Sequence, residues 1–460
     1  MINIHWFRRD LRLNDNAALY HALKLGVPVL PIFIFDKNIL DKLEDRDDSR
    51  VSFIHETILN LQKELEALGS TLQVFYGKPV EVWNEILKTY QVAHVFTNRD
   101  YESYALERDE EIEKLLKEQG VKFSKYKDHV IFDGNEVVKD DGKPYTVFTP
   151  YSRKWKAALL DDRRWTMDNG KTLTDDGKTF TPTISFCFQP YPTEKYFSGF
   201  IKTSSSNIFS KPIPSLEDMS FVKSAIIIPS KTVARKIVMN YDQTRNFPGL
   251  DESTTKLGIH FRFGTISIRE KALAAQTLNE TYLNELIWRD FYSMILQHFP
   301  HVERNAFRPE YEKINWLNDE IQFQKWYDGK TGYPLVDAGM RELNTTGYMH
   351  NRVRMVVSSF LTKHLLIDWR WGEAYFAKKL IDFDLASNNG GWQWAAGCGT
   401  DAAPYFRIFN PTAQQEKFDP NNVYIKKWIP EIDTPNYPKP IVDHVFARER
   451  CLAAYKLALN

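Results

Sequence analysis

Within the first 130 residues, short β-branched and aromatic runs alternate with amphipathic ones, and this alternation constrains the fold more than any other feature. INIHWF, PVLPIFIFD, TLQVFYG and HVFTNRD have the composition of buried strands with polar exits. Between the second and third lies FIHETILNLQKELEALG, whose apolar residues recur at three- and four-residue spacings and which ends in Gly69. Strands separated by helices pair in parallel, so the pattern predicts a doubly wound, Rossmann-like α/β sheet. Such a sheet binds ligands beyond the C-terminal ends of its strands. RRDLRLNDN occupies that position after the first strand, with Asn14 to Asn16 available as helix caps. No G-x-G-x-x-G and no G-x-x-x-x-G-K-S/T run is present, so neither a dinucleotide fingerprint nor a P-loop is supported.

Periodicity weakens after this region. DDRRWTMDNGKTLTDDGKTFTP and IKTSSSNIFSKPIPSLED are rich in Asp, Gly, Thr, Ser and Pro and read as surface connection. From about residue 230 the pattern turns helical. TYLNELIWRDFYSMILQHF, YMHNRVRMVVSSFLTKHLLIDW and GEAYFAKKLIDFDL are long amphipathic runs. The expected organisation is an α/β domain over 1–130, an interdomain connection over 131–228 and an all-α domain over 229–460.

A chain of 460 residues is long enough for two or three domains with sizeable cores. Its formal net charge is zero, which argues against coating nucleic acid by charge alone. The aromatic fraction of 14% leaves base, ring or flavin stacking open. Cys187, Cys398 and Cys451 show no C-x-x-C spacing, which gives no zinc or iron–sulfur signature and makes a reducing cytoplasm the expectation. The N-terminus lacks a signal-peptide pattern, and no apolar run approaches the ~18 residues of a membrane span. A soluble, monomeric cytoplasmic protein is expected, associated with the nucleoid when bound to DNA.

Several constellations in the helical half could carry chemistry. In NELIWRDFY, Glu285, Trp288, Arg289 and Tyr292 share one helical face, either as a surface ion pair with an aromatic stripe or as a binding wall. In MHNRVRMVVSSF, Asn351, Arg352, Arg354 and Met355 crowd one turn, where two arginines could clamp phosphate or pair with the acidic IDFDL. His350 reads as a core or boundary histidine. Asp382 and Asp384 precede ASNNGGWQWA, in which two Asn and two Gly read as a break in the helix. Its glycines would admit a flat ligand, and the amide of Asn388 suits a ring nitrogen whose protonation changes. Paired carboxylates could hold a metal, but further ligands are missing locally. Arg407, among the aromatics of GTDAAPYFRIFNP, suits nucleic-acid contact as well as it suits a packed loop.

Together, HWFRRDLRLNDNAAL, NELIWRDFY, KTGYPLVDAGMRELNTTGYMHNRVRM, DLASNNGGWQWAAGCGTDAAPYFRIFNP and EKFDP resemble the photolyase/cryptochrome flavoproteins, and most closely the class I cyclobutane pyrimidine dimer photolyases. The resemblance spans nearly the whole chain and is weakest in the connection. It implies an N-terminal antenna domain and a C-terminal helical domain holding a U-shaped FAD, active when fully reduced. By position it implies that Tyr241, Thr254 and Thr255 grip FAD phosphates and ribityl. Arg354 and Asp382 would pair beside the isoalloxazine, Asp384 would contact the ring region, and Asn388 would face flavin N5. Glu285, protonated, would hydrogen-bond the dimer. Trp288, Met355 and Trp394 would line the lesion cavity, with Asn351 between lesion and flavin. Arg245, Arg352 and Arg407 would hold the DNA backbone, and Trp392, Trp369 and Trp316 would relay electrons to photo-oxidised flavin.

The implied substrate is UV-damaged DNA, whose pyrimidine dimer must leave the duplex; poor pairing and stacking at the lesion lower that cost. Photoexcited reduced FAD would lend the dimer one electron, and splitting would return it. Two departures from the family pattern stand out. Gly258 replaces a usual Ser in TTKLGIH, and Tyr104–Ala105 replace the Asn-Glu of folate-binding members. The second weakens the case for a folate antenna and leaves a deazaflavin, a second flavin or an empty site. A cryptochrome photoreceptor without repair is the main alternative, although RERCLAAYKLALN adds no long tail. A (6-4) photoproduct enzyme, which uses a lesion-pocket histidine pair, is the other; His260 keeps it open.

Overall fold

The computed structural model describes residues 1–159, 188–205 and 211–459. Cys187 and the stretch 161–182 therefore lie outside the described residues. The four strand-like runs form β1 (Ile2–Phe7), β2 (Val29–Asp36), β3 (Gln73–Gly77) and β4 (Val92–Asn98). A fifth strand, β5 (Lys122–Tyr126), adds to β4, and all pairs are parallel in the order β3-β2-β1-β4-β5. This is the doubly wound arrangement expected. β5 escapes the sequence pattern because KFSKY lies half-exposed at the sheet edge, where lysines are tolerated and often useful.

Helices cross between the strands. α1 (Ala17–Lys24) begins at Asn16, whose side chain accepts from Leu19 N at 3.1 Å, one of the expected caps. α2 (Ser49–Ala67) starts on Asp48 and unwinds through Gly69, at φ 73°. α3 (Pro79–Thr89) and α4 (Ser103–Glu118) supply Val82, Trp83, Ile86, Ile112 and Leu116 to a core completed by Ile4, Trp6, Leu30 and Ile32 from the strands. Strand order reverses between β1 and β4, the switch point where ligands are expected. Here that rim is laced by side chains. Asn98 Nδ2 donates to Asp10 at 2.6 Å, and Arg9 reaches Asp100 at 2.9 Å and Glu102 at 2.8 Å. Tyr104 likewise ties down the end of β2, donating to Asp36 at 2.6 Å.

The chain divides into two compact units. One contains Met1–Val137, Arg153–Lys231 and Ile259–Ala274; the other contains Val138–Ser152, Thr232–Gly258 and Ala275–Asn460. The sequence boundaries at 131–228 and 229–460 differ from this division. Residues 138–152, read as connection, join the helical unit, while 259–274 join the unit with the sheet.

The elements used below are α5 (Phe148–Ala158), of which residues 148–152 belong to the helical unit, and, in that unit, α6 (Glu280–His298), α7 (Pro334–Thr346), α8 (Asn351–Ser359), α9 (Trp369–Lys379), α10 (Leu385–Ala396) and α11 (His444–Leu459). Three readings of the sequence are corrected here. The run YMHNRVRMVVSSFLTKHLLIDW is α-helical only as α8, then widens into a π-helical turn, Phe360–His364, and leaves the helix at Leu366, φ 51°. GEAYFAKKLIDFDL contributes α9 but stops at Lys379. Most consequentially, ASNNGGWQWA is not a break. It forms α10, capped at one end by Asp384, which accepts from Ser387 N at 3.1 Å, and at the other by left-handed Gly397.

Tertiary contacts outweigh the poor helix propensity of α10. A Cβ on Gly390 would lie 2.2 Å from the Tyr292 ring, so glycine is what lets α10 approach α6 closely. Asn389 and Gln393, one turn apart, both donate to Val302 O, at 2.8 and 3.0 Å. Gln393 also accepts from Phe307 N at 2.8 Å and donates to Asn389 Oδ1 at 3.0 Å. Asn389, one of the residues that looked like helix breakers, thus forms with Gln393 a buried polar seam bonded to residues 302–307.

Candidate functional site in the helical unit

Two groups of predicted residues converge near His350, the N-cap of α8. The first surrounds Glu285 on α6. Arg245 forms an ion pair with Glu285, and its guanidinium lies 5.3 Å from the Tyr241 ring centroid. Tyr241 itself packs edge-on to Tyr282 and is buried. Arg352 is held by Asn246 Oδ1 at 2.6 Å and by the Phe418 ring at 4.5 Å, and passes 3.6 Å from Met355 Sδ. Burial pushes the Glu285 carboxyl up, while Arg245 and then Arg352 pull it back down. Burial lowers Arg352 as well, helped by the like charge of Arg245. Arg245 is thus engaged with Glu285, and a carboxyl poised between burial and two cations can serve as donor or acceptor.

The second group surrounds Arg354 and Asp382. Arg354 Nη2 reaches the two Asp382 oxygens at 3.1 and 2.9 Å, and Nε donates to Met349 O at 2.7 Å. Arg354 and Asp382 are thus paired within the chain. Tyr348 lies beneath Arg354, 5.5 Å from its guanidinium, and shares a hydrogen bond of 3.1 Å with the Thr254 hydroxyl. Thr255 makes the corresponding contact with Tyr282, at 3.4 Å. Gly258 has a physical reason of its own: a Cβ there would lie 2.6 Å from Asp382 Oδ2. The carboxylate fills the space a serine would occupy.

His350 joins the groups. Its Nδ1 accepts from Arg352 N at 3.2 Å, while Nε2 is buried without a partner among the described residues. Burial, followed by the fields of Arg354, Arg352, Lys256 and Arg245, depresses it to about 3, so it stays neutral. Four converging cations, free hydroxyl capacity on Thr254 and Thr255 and an orphaned ring nitrogen fit an anionic, polyhydroxylated group such as the diphosphate and ribityl of FAD. Gly391 on α10 is exposed with no atom near its would-be Cβ, leaving an open, flat face.

Asn388 is one turn from Gly391. Its Nδ2 donates to Glu373, at 2.8 Å to the carboxylate and 3.2 Å to the carbonyl, both on α9. Glu373 was not singled out in the sequence; it sits in an ordinary-looking charged helix fifteen residues earlier. Tyr348, Tyr282 and Asn246 were also missed, because their contacts are made by chain crossings that no local pattern records. Asp384 serves as the cap of α10.

Other predicted residues lie apart from these groups. Trp392 is 2% exposed, in the same core as Trp369 (2% exposed) and Trp326, with Trp316 packed at its margin. A Cβ on Gly372 would touch Trp392 at 2.1 Å, and Gly372 is one turn beyond Trp369 on α9. The loop bearing Trp316 is fastened to the segment before Trp369, through Leu317 N to Leu366 O at 2.7 Å and Asp368 N to Asn318 at 2.9 Å. Trp394, half-buried, faces Phe409 at 6.4 Å. Asn351 and Arg407 are exposed and make no ion pair among the described residues. His260, in the unit with the sheet, has both ring nitrogens occupied, by Thr265 Oγ1 and Pro229 O at 2.8 Å each.

Comparison with known proteins agrees with this geometry. Residues 282–435 match the family described as the FAD binding domain of DNA photolyase, and residues 3–168 match the DNA photolyase family. The deoxyribodipyrimidine photo-lyase of Vibrio cholerae is 36% identical, with 98% of this chain and 99% of that protein aligned. An archaeal photolyase from Sulfolobus tokodaii, solved with two FAD molecules, is 34% identical over 99% of this chain and all of that one, with a TM-score of 0.80. A Synechocystis cryptochrome shares the fold, with a TM-score of 0.79 at 23% identity, over 98% of this chain and 99% of that one. The chain belongs to the photolyase/cryptochrome family, and its helical unit carries the family's FAD-binding domain. Among the described residues, no helix is long and apolar enough to cross a membrane.

Proposed function

We propose that this protein is a light-driven DNA repair enzyme that accepts a flipped cyclobutane pyrimidine dimer and splits it with an electron from reduced FAD. The observation that carries the reading is the wall formed on α6. Glu285 and Trp288 stand one turn apart beside Arg245, Arg352 and Met355, combining a stacking surface, a buried carboxyl and cations. Relatives that align over nearly their full length bear the name deoxyribodipyrimidine photo-lyase.

In this reading Tyr241, Thr254, Thr255, Arg354, Asp382, Asp384 and Asn388 hold the flavin. When bound and reduced, FAD supplies the photoexcited electron. The chain's residues do the rest. Trp288, Met355 and Trp394 exclude water and stack the bases, while Arg352 and Arg407 hold flanking phosphates. Arg245 sets the charge of Glu285. Glu285, its carboxyl raised by burial and lowered by Arg245, would face the pyrimidine carbonyl where negative charge develops. Asn351 would border lesion and flavin, and Trp392, Trp369 and Trp316 would conduct electrons from an external reductant toward oxidised flavin. Tyr104–Ala105 in place of the family's Asn-Glu favours a deazaflavin, a second flavin or an empty antenna site over a folate. The protein works as a cytoplasmic monomer.

The test combines an absorption spectrum of the purified protein with light-dependent repair of an oligonucleotide containing one dimer. Flavin bound with repair of the cyclobutane dimer is the expected result. Flavin without repair would instead support a photoreceptor, and repair confined to (6-4) photoproducts would overturn the substrate assignment. His260, with both nitrogens occupied, speaks against the latter.

A further inference from the structure

Residues 138–152 were read as mere connection, yet they belong to the helical unit and bring an aromatic ring onto Trp288. Phe148, the first residue of α5, stacks on that indole with ring centroids 3.7 Å apart and planes 2° from parallel. Its edge also meets the fully buried Phe291, at 5.9 Å and 80°. Phe291 follows Trp288 by three residues and lies about 60° to one side of it around α6. Glu285 and Tyr292 lie about 60° and 40° to the other side. Phe148 covers one face of the indole, and Tyr292, on the Glu285 side of the helix, packs its ring 5.4 Å from Trp288 at 32°.

The ring is held there from outside α5. Thr400 Oγ1 donates to Thr146 O at 2.5 Å, and Phe148 N donates to the Asp401 carboxylate, which burial raises and this bond lowers. Tyr151, one turn further along α5, packs on Phe291 at 5.1 Å. Residues 146–151 thus strap α6 to the segment 400–401 that leads into the Arg407 loop.

We propose that Phe148 is a positioning residue for the substrate. By stacking on Trp288, with Tyr292 packed beside it, Phe148 fixes the plane of the indole, so that a base meets it at one angle. The inference rests on the reading of α6 as a lesion-pocket wall. An indole free to rotate would stack on undamaged and damaged bases alike; a fixed plane favours a base held at one angle to its neighbour, as in a dimer.

The test measures dissociation constants of the flavin-loaded protein for matched oligonucleotides with and without one cyclobutane dimer. Phe148→Leu, which keeps bulk but cannot stack, should lower the preference for the damaged strand about tenfold, the scale of a lost aromatic pair. Affinity for the undamaged strand and flavin content should stay within about twofold. Phe148→Tyr, which restores the stack, should restore the preference and so exclude a general loss of packing. Unchanged preference in Phe148→Leu, alongside a loss in Trp288→Leu, would overturn the positioning role and leave the pocket standing. Unchanged preference in both variants would overturn the pocket reading as well.

Discussion

The amide of Asn388 can turn either its oxygen or its nitrogen toward a ligand, and Glu373 decides which. With Nδ2 committed to Glu373, Oδ1 is left facing away as an acceptor. Burial raises the Glu373 carboxyl, and the amide holds it down, so each group fixes the other. Replacing either by Ala should therefore shift the flavin's reduction midpoint in the same direction, and the double variant should go no further than the single ones. Additive shifts in a spectroelectrochemical titration would show that the two act separately. His350 gives a second prediction at this scale. Its folded value of about 3 lies below the ordinary 6.5, so the unfolded chain binds the extra proton between these limits. The stability it contributes is present above about pH 6.5 and is lost as pH falls, by about 2 kcal/mol at pH 5. His350→Asn keeps an N-cap but removes the proton. Urea unfolding at pH 7 and pH 5 should show a smaller loss in the variant than in the parent.

At the scale of elements, the two adjacent glycines of α10 make opposite predictions. Gly390→Ala drives a methyl into Tyr292 and should destabilise the protein by about 1–3 kcal/mol. Gly391→Ala meets nothing, so in flavin-free protein it should stabilise the helix by up to ~1 kcal/mol. If the open face of α10 receives the flavin, the same change should reduce flavin content on purification; full loading would mean that the cofactor lies elsewhere. This contrast also shows what was legible in the sequence. Buried strands β1 to β4 declared themselves as short β-branched and aromatic runs, and helix α6 by the period that one-sided burial imposes. α10 did not, since its stability comes from Tyr292, Val302 and Phe307 rather than from its own propensities. The pairing of an α8 arginine with the acidic IDFDL and a role for Asn388 were legible in the residues as alternatives, and the family resemblance singled out Arg354 with Asp382. Glu373 and Phe148 were not readable at all: each acts through a contact between segments far apart in the chain, and neither stands in an unusual local pattern.

On the scale of the whole molecule, zero net charge means that the proposed DNA binding would rest on local groups such as Arg352 and Arg407 rather than on a general field. The proposed electron supply and substrate binding would likewise have to be kept apart within one unit, and α10 offers the means. Trp392 and Trp394 are two residues apart and so point about 200° from each other around the helix. Trp392 is sealed in the core against Gly372, Phe376 and Trp326, toward Trp369, whereas Trp394 stands half-buried toward Phe409. The two indoles should therefore fail differently. Trp392→Phe and Trp369→Phe should each slow photoreduction of oxidised flavin at least tenfold, yet repair dimers normally once the protein has been reduced with dithionite in the dark. Trp394→Phe should reduce under light as the parent does but bind the damaged strand more weakly. Transient absorption for the first pair and strand-binding titrations for the third would measure this. If all three variants lost both activities together, α10 would be a single structural support rather than a partition between the electron path and the substrate.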